Sequence, residues 1–147
     1  MKTLTLKELK ALSPQLAEKI PYLKMLVLFG SRATGRVHAE SDWDFAALYN
    51  EEIRNSLIKN PFSWFESSTI ISQFFKIPDD KVDVIELNNC SPIIAHFVAA
   101  DGKLLYEKET GEFAEFRKIA LKTNLEMIEF RNTLRKKIEM GLQRWGV

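Results

Sequence analysis

Met25-Leu26-Val27-Leu28-Phe29 is an unbroken apolar run that stops at Gly30-Ser31, and ten residues further on Asp42-Trp43-Asp44 opens a second apolar run. The first run is short enough to be a strand buried on both faces. Gly30 permits a tight reversal and a close approach of backbone to a ligand. Ser31 is a good N-cap for one helical turn from Ser31 to Gly35. The leading N–H groups of such a turn favour a phosphate, and the Ser31 hydroxyl adds a donor. No Gly-Lys-Ser/Thr follows, so this is not a Walker A loop. Taken alone, Gly-Ser fits an ordinary strand-to-helix turn equally well.

Asp42 to Tyr49 reads as a strand. Alternate side chains on a strand share a face, so Asp42 and Asp44 project together while Trp43 and Phe45 pack the other way. Two carboxylates so close repel each other, and a cation between them removes the repulsion. Magnesium suits such a pair, because it takes oxygen ligands from a few carboxylates, phosphates and water. Two solvated aspartates at a polar strand start are the plainer alternative. A third carboxylate, Asp83, lies between two valines in the strand-like run Lys81 to Leu87. Burying an unpaired charge is costly. If the two strands are neighbours, Asp83 joins the acidic pair as a metal ligand and a proton acceptor. Otherwise it points out from an edge strand or pairs with Lys81.

The stretch Gly30-Ser31-Arg32-Ala33-Thr34-Gly35 through Ser41-Asp42-Trp43-Asp44 resembles the signature of the DNA polymerase β-type nucleotidyltransferase superfamily. The small size is similar to that of the minimal nucleotidyltransferases. Val84 to Asn89, Ser91-Pro92 and Asp101 to Glu107 resemble the MNT antitoxins of HEPN/MNT (type VII) toxin–antitoxin pairs, the MntA family. The resemblance covers about residues 20 to 107. Trp43 departs from the aliphatic residue more usual there, and it is still expected to pack inward.

The resemblance implies a nucleotidyltransferase fold of the α/β (α+β) class: a small mixed sheet flanked by helices, with a C-terminal helical segment at 112–144. It implies ATP as donor, with phosphates at Gly30, Ser31 and Arg32, and two Mg²⁺ ions held by Asp42, Asp44 and Asp83, the last also assisting the acceptor hydroxyl. It also implies transfer of AMP to a tyrosine of a cognate HEPN ribonuclease toxin, which the modification neutralises. A small-molecule nucleotidyltransferase of the aminoglycoside-modifying kind, and a non-catalytic module that masks the toxin, are the alternatives. Since little of the chain is left to build an acceptor pocket, the long C-terminal helix is expected to dock the acceptor protein.

With 147 residues, one domain spanning 1–147 is expected, and a hydrophobic fraction of 46% suffices for a core. A net charge of +1 gives no general drive toward nucleic acid. The single cysteine, Cys90, excludes an intrachain disulfide. With no apolar run of transmembrane length and no signal-peptide core, a cytoplasmic location and no membrane partner are expected. Helices are expected at Leu6 to Ile20 with a restart at Ser13-Pro14, Glu51 to Lys59, Phe62 to Phe75, Pro92 to Ala100 and Glu112 to Arg144. In the last, Phe113, Phe116, Ile119 and Ala120 form an apolar stripe that Ile128, Leu134 and Ile138 continue. Arg32 and Arg36 stand near the phosphate turn, and Arg pairs well with phosphate. His38 reads as a loop residue, His96 as packed or hydrogen-bonded, and the aromatics Phe62, Trp64, Phe65, Phe74 and Phe75 as core. Arg131, Arg135, Lys136 and Lys137 read as a solvated face, with docking of an acidic partner or a tRNA-like polymer as the alternative.

Overall fold

The apolar run that opens the sequence argument becomes the central strand of a four-stranded sheet. A computed structural model describes residues 4–35, 42–57 and 66–144; Arg36, His38, Ser41, Lys59, Phe62, Trp64 and Phe65 lie outside the described residues. The strands are β1 (Leu23–Phe29), β2 (Trp43–Tyr49), β3 (Val82–Glu86) and β4 (Lys103–Glu107), in the spatial order β3-β2-β1-β4. β1 pairs antiparallel with both β2 and β4, whereas β2 and β3 run parallel. The sheet is therefore mixed, as expected.

Helices cover both faces. On one, Leu26, Leu28, Trp43, Phe45 and Tyr49 pack against Leu9 and Leu16 of α1 (Leu6–Lys19) and Ile71 and Phe75 of α4 (Glu66–Phe75). Trp43, Phe45 and Phe75 stack in sequence, with ring centroids 6.4 and 5.6 Å apart. On the other face, Met25, Val27 and Ala46 pack against Val98 of α5 (Pro92–Asp101) and Phe113 and Phe116 of α6 (Glu112–Ala120). The remaining helices are the single turn α2 (Ser31–Thr34), α3 (Glu51–Leu57) and α7 (Asn124–Arg144). Among the described residues no helix is long and apolar enough to cross a membrane.

Two helical expectations are corrected. α1 does not restart at Ser13-Pro14; it runs through Pro14 as one helix, begun by a capping box between Thr5 and Glu8. The Ser13 hydroxyl donates to the Leu9 carbonyl at 2.6 Å, so a buried polar group is satisfied within the helix itself. The expected single helix from Glu112 to Arg144 is two. Leu121 is extended (φ −66°, ψ 132°), and the Lys122 N–H leaves the helical ladder to donate to His96 Nδ1 at 3.0 Å. A second capping box then starts α7: the Thr123 hydroxyl accepts from Glu126 N–H, and the Glu126 carboxylate accepts from Thr123 N–H. Ile119, expected on the inward stripe, is 82% exposed, while Ala120 is buried. His96 is hydrogen-bonded, as its apolar setting in the sequence indicated.

One charged side chain is buried in the first face. Arg54 of α3 is 1% exposed, donates to Glu86 Oε1 at 2.9 Å and lies over the rings of Tyr22 and Tyr49. It ties α3 to the end of β3. Asn88, just past β3, adds a two-way bond to the backbone of Tyr49 at 3.0 and 2.9 Å. These contacts fix the position of β3 against β2. Glu86→Ala removes the carboxylate to which the buried Arg54 donates, and an unfolding titration is expected to read a loss of about 2 kcal/mol. A loss below about 1 kcal/mol would show that the pair does not brace β3.

Candidate active site

The site is assembled where β1 ends and β2 and β3 begin, on the α5 side of the sheet. Trp43 and Phe45 point to the α1/α4 core, so Asp44 between them projects to the opposite face. Across the antiparallel ladder Asp44 is opposite Phe29; across the parallel ladder it is opposite Asp83. Side chains paired this way stand about 5 Å apart on one face. β3 is an edge strand and Asp83 is exposed there, with Asp44 on its inner side. Asp42, one residue before β2, is exposed as well.

Gly30 closes the site from the β1 side. It adopts φ 75°, ψ −157° and is the N-cap of α2, so Ser31 is the first helical residue and not the cap. The reason is the company Gly30 keeps: a Cβ at this position would collide with Asp44 Oδ2 and lie 3.2 Å from Asp44 Cγ. Only glycine admits both the backbone angle and the carboxylate. The carbonyl of Gly30 accepts from Ala33 N–H at 3.1 Å and Thr34 N–H at 3.2 Å, and Gly35 ends the turn at φ 83°. The turn therefore presents its leading edge beside Asp44. Arg32 is placed differently: its guanidinium lies 4.1 Å from the centroid of the Trp43 ring, whose side chain faces away from Asp44. Gly30, Ser31, Asp42, Asp44 and Asp83 thus share one neighbourhood, and Arg32 flanks it.

Electrostatics single out Asp44. Burial pushes its carboxyl above the usual range, and the negative charges of Asp83 and Asp42 push it further. Three oxygen-donor side chains with uncompensated mutual repulsion suit a hard divalent cation. Among the described residues no three such side chains close into a finished metal cage. The fit to Mg²⁺ rests on the oxygen-donor pair Asp44 and Asp83, opposed across the β2/β3 ladder.

The sequence reading missed the wall facing Gly30-Ser31. A cleft of about 370 Å³ is lined by Phe29, Gly30, Ser31 and Thr34 on one side and by Ile94, Phe97 and Asp101 of α5 on the other. The signal was present as a helical stripe at spacings of three and four residues. It was obscured because α5 is apolar on nearly every side.

The raised Asp44 pKa has a definite sign for stability. In the folded chain Asp44 holds its proton to a higher pH than in the unfolded chain. Its ionisation therefore lowers stability as pH rises from the ordinary carboxylate range through the raised value. Asp44→Asn cannot ionise. The Tm of metal-free Asp44→Asn is expected to exceed that of the parent by a margin that grows with pH over this window and then levels off. The rise in Tm that Mg²⁺ gives the parent is expected to shrink in the variant. A margin that does not change with pH would contradict the electrostatic account.

Residues 12–111 match the family described as polymerase beta, nucleotidyltransferase. The chain is 54% identical over 144 residues, 97% of this chain and 96% of the other, to the protein adenylyltransferase MntA of Aphanizomenon flos-aquae (strain 2012/KM1/D3). Its fold is similar to that of a chain in the crystal structure of a toxin–antitoxin with AMP-PNP, with a TM-score of 0.61 at 21% identity, covering 91% of this chain and 98% of that one. It is also similar to a chain in the structure of tri-AMPylated Shewanella oneidensis HEPN toxin in complex with MNT antitoxin, with a TM-score of 0.59 at 18% identity, covering 95% and 99%. The chain therefore belongs to the polymerase β-type nucleotidyltransferases and, within them, to the MntA family.

Proposed function

We propose that this chain is an antitoxin that transfers AMP from ATP to a tyrosine hydroxyl of a cognate HEPN ribonuclease toxin and so neutralises it. The observation that carries the reading is the juxtaposition of Asp44, Asp83 and the Gly30-Ser31 turn, in a chain 54% identical to a protein adenylyltransferase.

The residues divide the work by position. The leading edge of α2 and the Ser31 hydroxyl donate to phosphate oxygens of the donor. Asp42, Asp44 and Asp83 would hold two Mg²⁺ ions. Bound there, magnesium neutralises the triphosphate, favours the ionised acceptor oxygen and stabilises the departing pyrophosphate. Asp83 lies on the edge strand, open to an acceptor arriving from outside the sheet, and takes the proton of the attacking hydroxyl. The new bond joins the tyrosine oxygen to the α-phosphorus as the bond to pyrophosphate breaks. Asp44 must be ionised to act as a ligand.

The acceptor protein needs a surface, and the C-terminal helices offer one. Phe130, Leu134, Ile138 and Leu142 follow one another at four-residue spacing along α7, and Ile138 is 55% exposed. Leu134 and Leu142 are exposed with it, as is Ile119 at the end of α6. Arg131, Arg135, Lys136 and Lys137 line the same helix, so an acidic rim on the toxin would complement it.

With Mg²⁺, α-labelled ATP and the product of the adjacent gene, label is expected on a tyrosine of that partner. Asp42→Asn/Asp44→Asn is expected to cut the rate by roughly 10²-fold or more. Neutralisation that persists undiminished in this variant would sink catalysis as the mechanism and leave masking. Leu134→Glu/Ile138→Glu, which keeps the nucleotide site intact, is expected to retain ATP binding while losing capture of the partner. Undiminished capture would place the docking surface elsewhere.

A further inference from the structure

Ile94, Phe97 and Asp101 follow the three- and four-residue rhythm of a helix face. That face of α5 looks across the cleft at Gly30, Ser31 and Thr34, while Val98 and Ala99 look into the core. Phe97 is 42% exposed and Ile94 36%, and both line this cleft. An aromatic and a branched aliphatic side chain left uncovered beside a phosphate-binding turn are costly to leave in water and useful against a flat apolar ligand. The Phe97 ring is also held in place. His96 stands edge-on to it at 5.6 Å, and His96 is itself fixed by the N–H of Lys122 at 3.0 Å.

The geometry points to this cleft as the slot for the donor's nucleoside, with Phe97 as the surface on which the base stacks; the assignment rests on the nucleotidyl-transfer reading above. Three observations choose this occupant. The cleft includes Gly30 and Ser31, so a triphosphate seated on the turn is continuous with it. It lies on the β1 side of Asp44, whereas Asp83 lies on the β3 side, so the acceptor approaches from the opposite direction. Finally, the Asp101 carboxylate that lines the cleft accepts from the N–H and O–H donors that a nucleoside carries. The cleft volume of about 370 Å³ is within the range of small-ligand pockets.

The test compares ATP with inorganic tripolyphosphate, which has the charges but no nucleoside. Dissociation constants for both are measured calorimetrically on the full chain, in Mg²⁺ and without any acceptor. The parent is expected to bind ATP more tightly than tripolyphosphate. Phe97→Ala is expected to weaken ATP binding by about 5- to 100-fold and to leave tripolyphosphate within twofold. Phe97→Trp, which keeps an aromatic face, is expected to retain ATP binding. ATP affinity unchanged in Phe97→Ala overturns the assignment, as does a parallel loss for both ligands. If the parent binds tripolyphosphate and gains nothing from the nucleoside, the slot is overturned while the phosphate turn stands. If the parent binds neither, both the slot and the nucleotidyl-transfer reading fail.

Discussion

Like charges held side by side are the constraint on which this site is built. The parallel register of β2 and β3 sets Asp44 opposite Asp83, and the antiparallel register of β1 and β2 brings Gly30 against the Asp44 carboxylate. A one-residue slip in either ladder would turn Asp44 into the aromatic core and bring Trp43 or Phe45 out. The core thus enforces the site: the stacked rings of Trp43, Phe45 and Phe75 and the Arg54–Glu86 tie hold a register that the carboxylates themselves oppose. Burial raises the Asp44 pKa most and the repulsion raises it further, a bias toward any positive charge brought beside it.

The two faces of the sheet have different duties. The α1/α4 face is densely apolar and buries its one guanidinium among partners. On the α5/α6 face, packing stops short of the strand ends, and the space left there is the cleft. Its depth depends on how closely α5 approaches β1. Gly102 sets that distance: a Cβ there would collide with the Val98 carbonyl and lie 2.6 Å from Val27 Cγ1. In sequence Asp101-Gly102 is a turn signal. In the structure the glycine matters for what it leaves out, and its N–H closes α5 on the Val98 carbonyl at 2.9 Å.

Much of the fold was legible because its signals are local. The apolar run of β1, the alternation from Asp42 to Tyr49, and the Ser91-Pro92 helix start each carry their own evidence. The neighbouring strands that put Asp83 beside Asp44 were a conditional inference, since strand order is not written in periodicity. The C-terminal break was missed for a different reason. Apolar residues continue across Leu121 at near-helical spacing, and the interruption depends on an acceptor, His96 Nδ1, that is 26 residues away in sequence. Thr123 and Glu126 do spell a capping box, a local cue that outweighs the stripe once it is noticed. Along α7 only Met127 is buried among the described residues, while Ile128, Leu134 and Ile138 are all exposed. Arg32, adjacent to Ser31 in the chain, has its guanidinium over the Trp43 ring, a contact that sequence proximity does not reveal.

α5 joins the two ends of the molecule's work. One of its faces lines the cleft beside Gly30-Ser31. Its backbone and His96 also receive the C-terminal helices: Arg117 Nε donates to the Ala99 carbonyl at 3.0 Å, and Lys122 N–H donates to His96 Nδ1. A protein that presses on α6 and α7 loads these two hydrogen bonds, each worth about 1 kcal/mol. The junction they secure is short, since α6 ends at Ala120 and α7 begins at Asn124. Because His96 is in contact with Phe97, the junction cannot shift without disturbing the wall of the cleft. The long exposed helix is therefore anchored through the same element that shapes the site, and this gives a chain of only 147 residues a physical connection between the surface that a partner would cover and the pocket where the chemistry would take place.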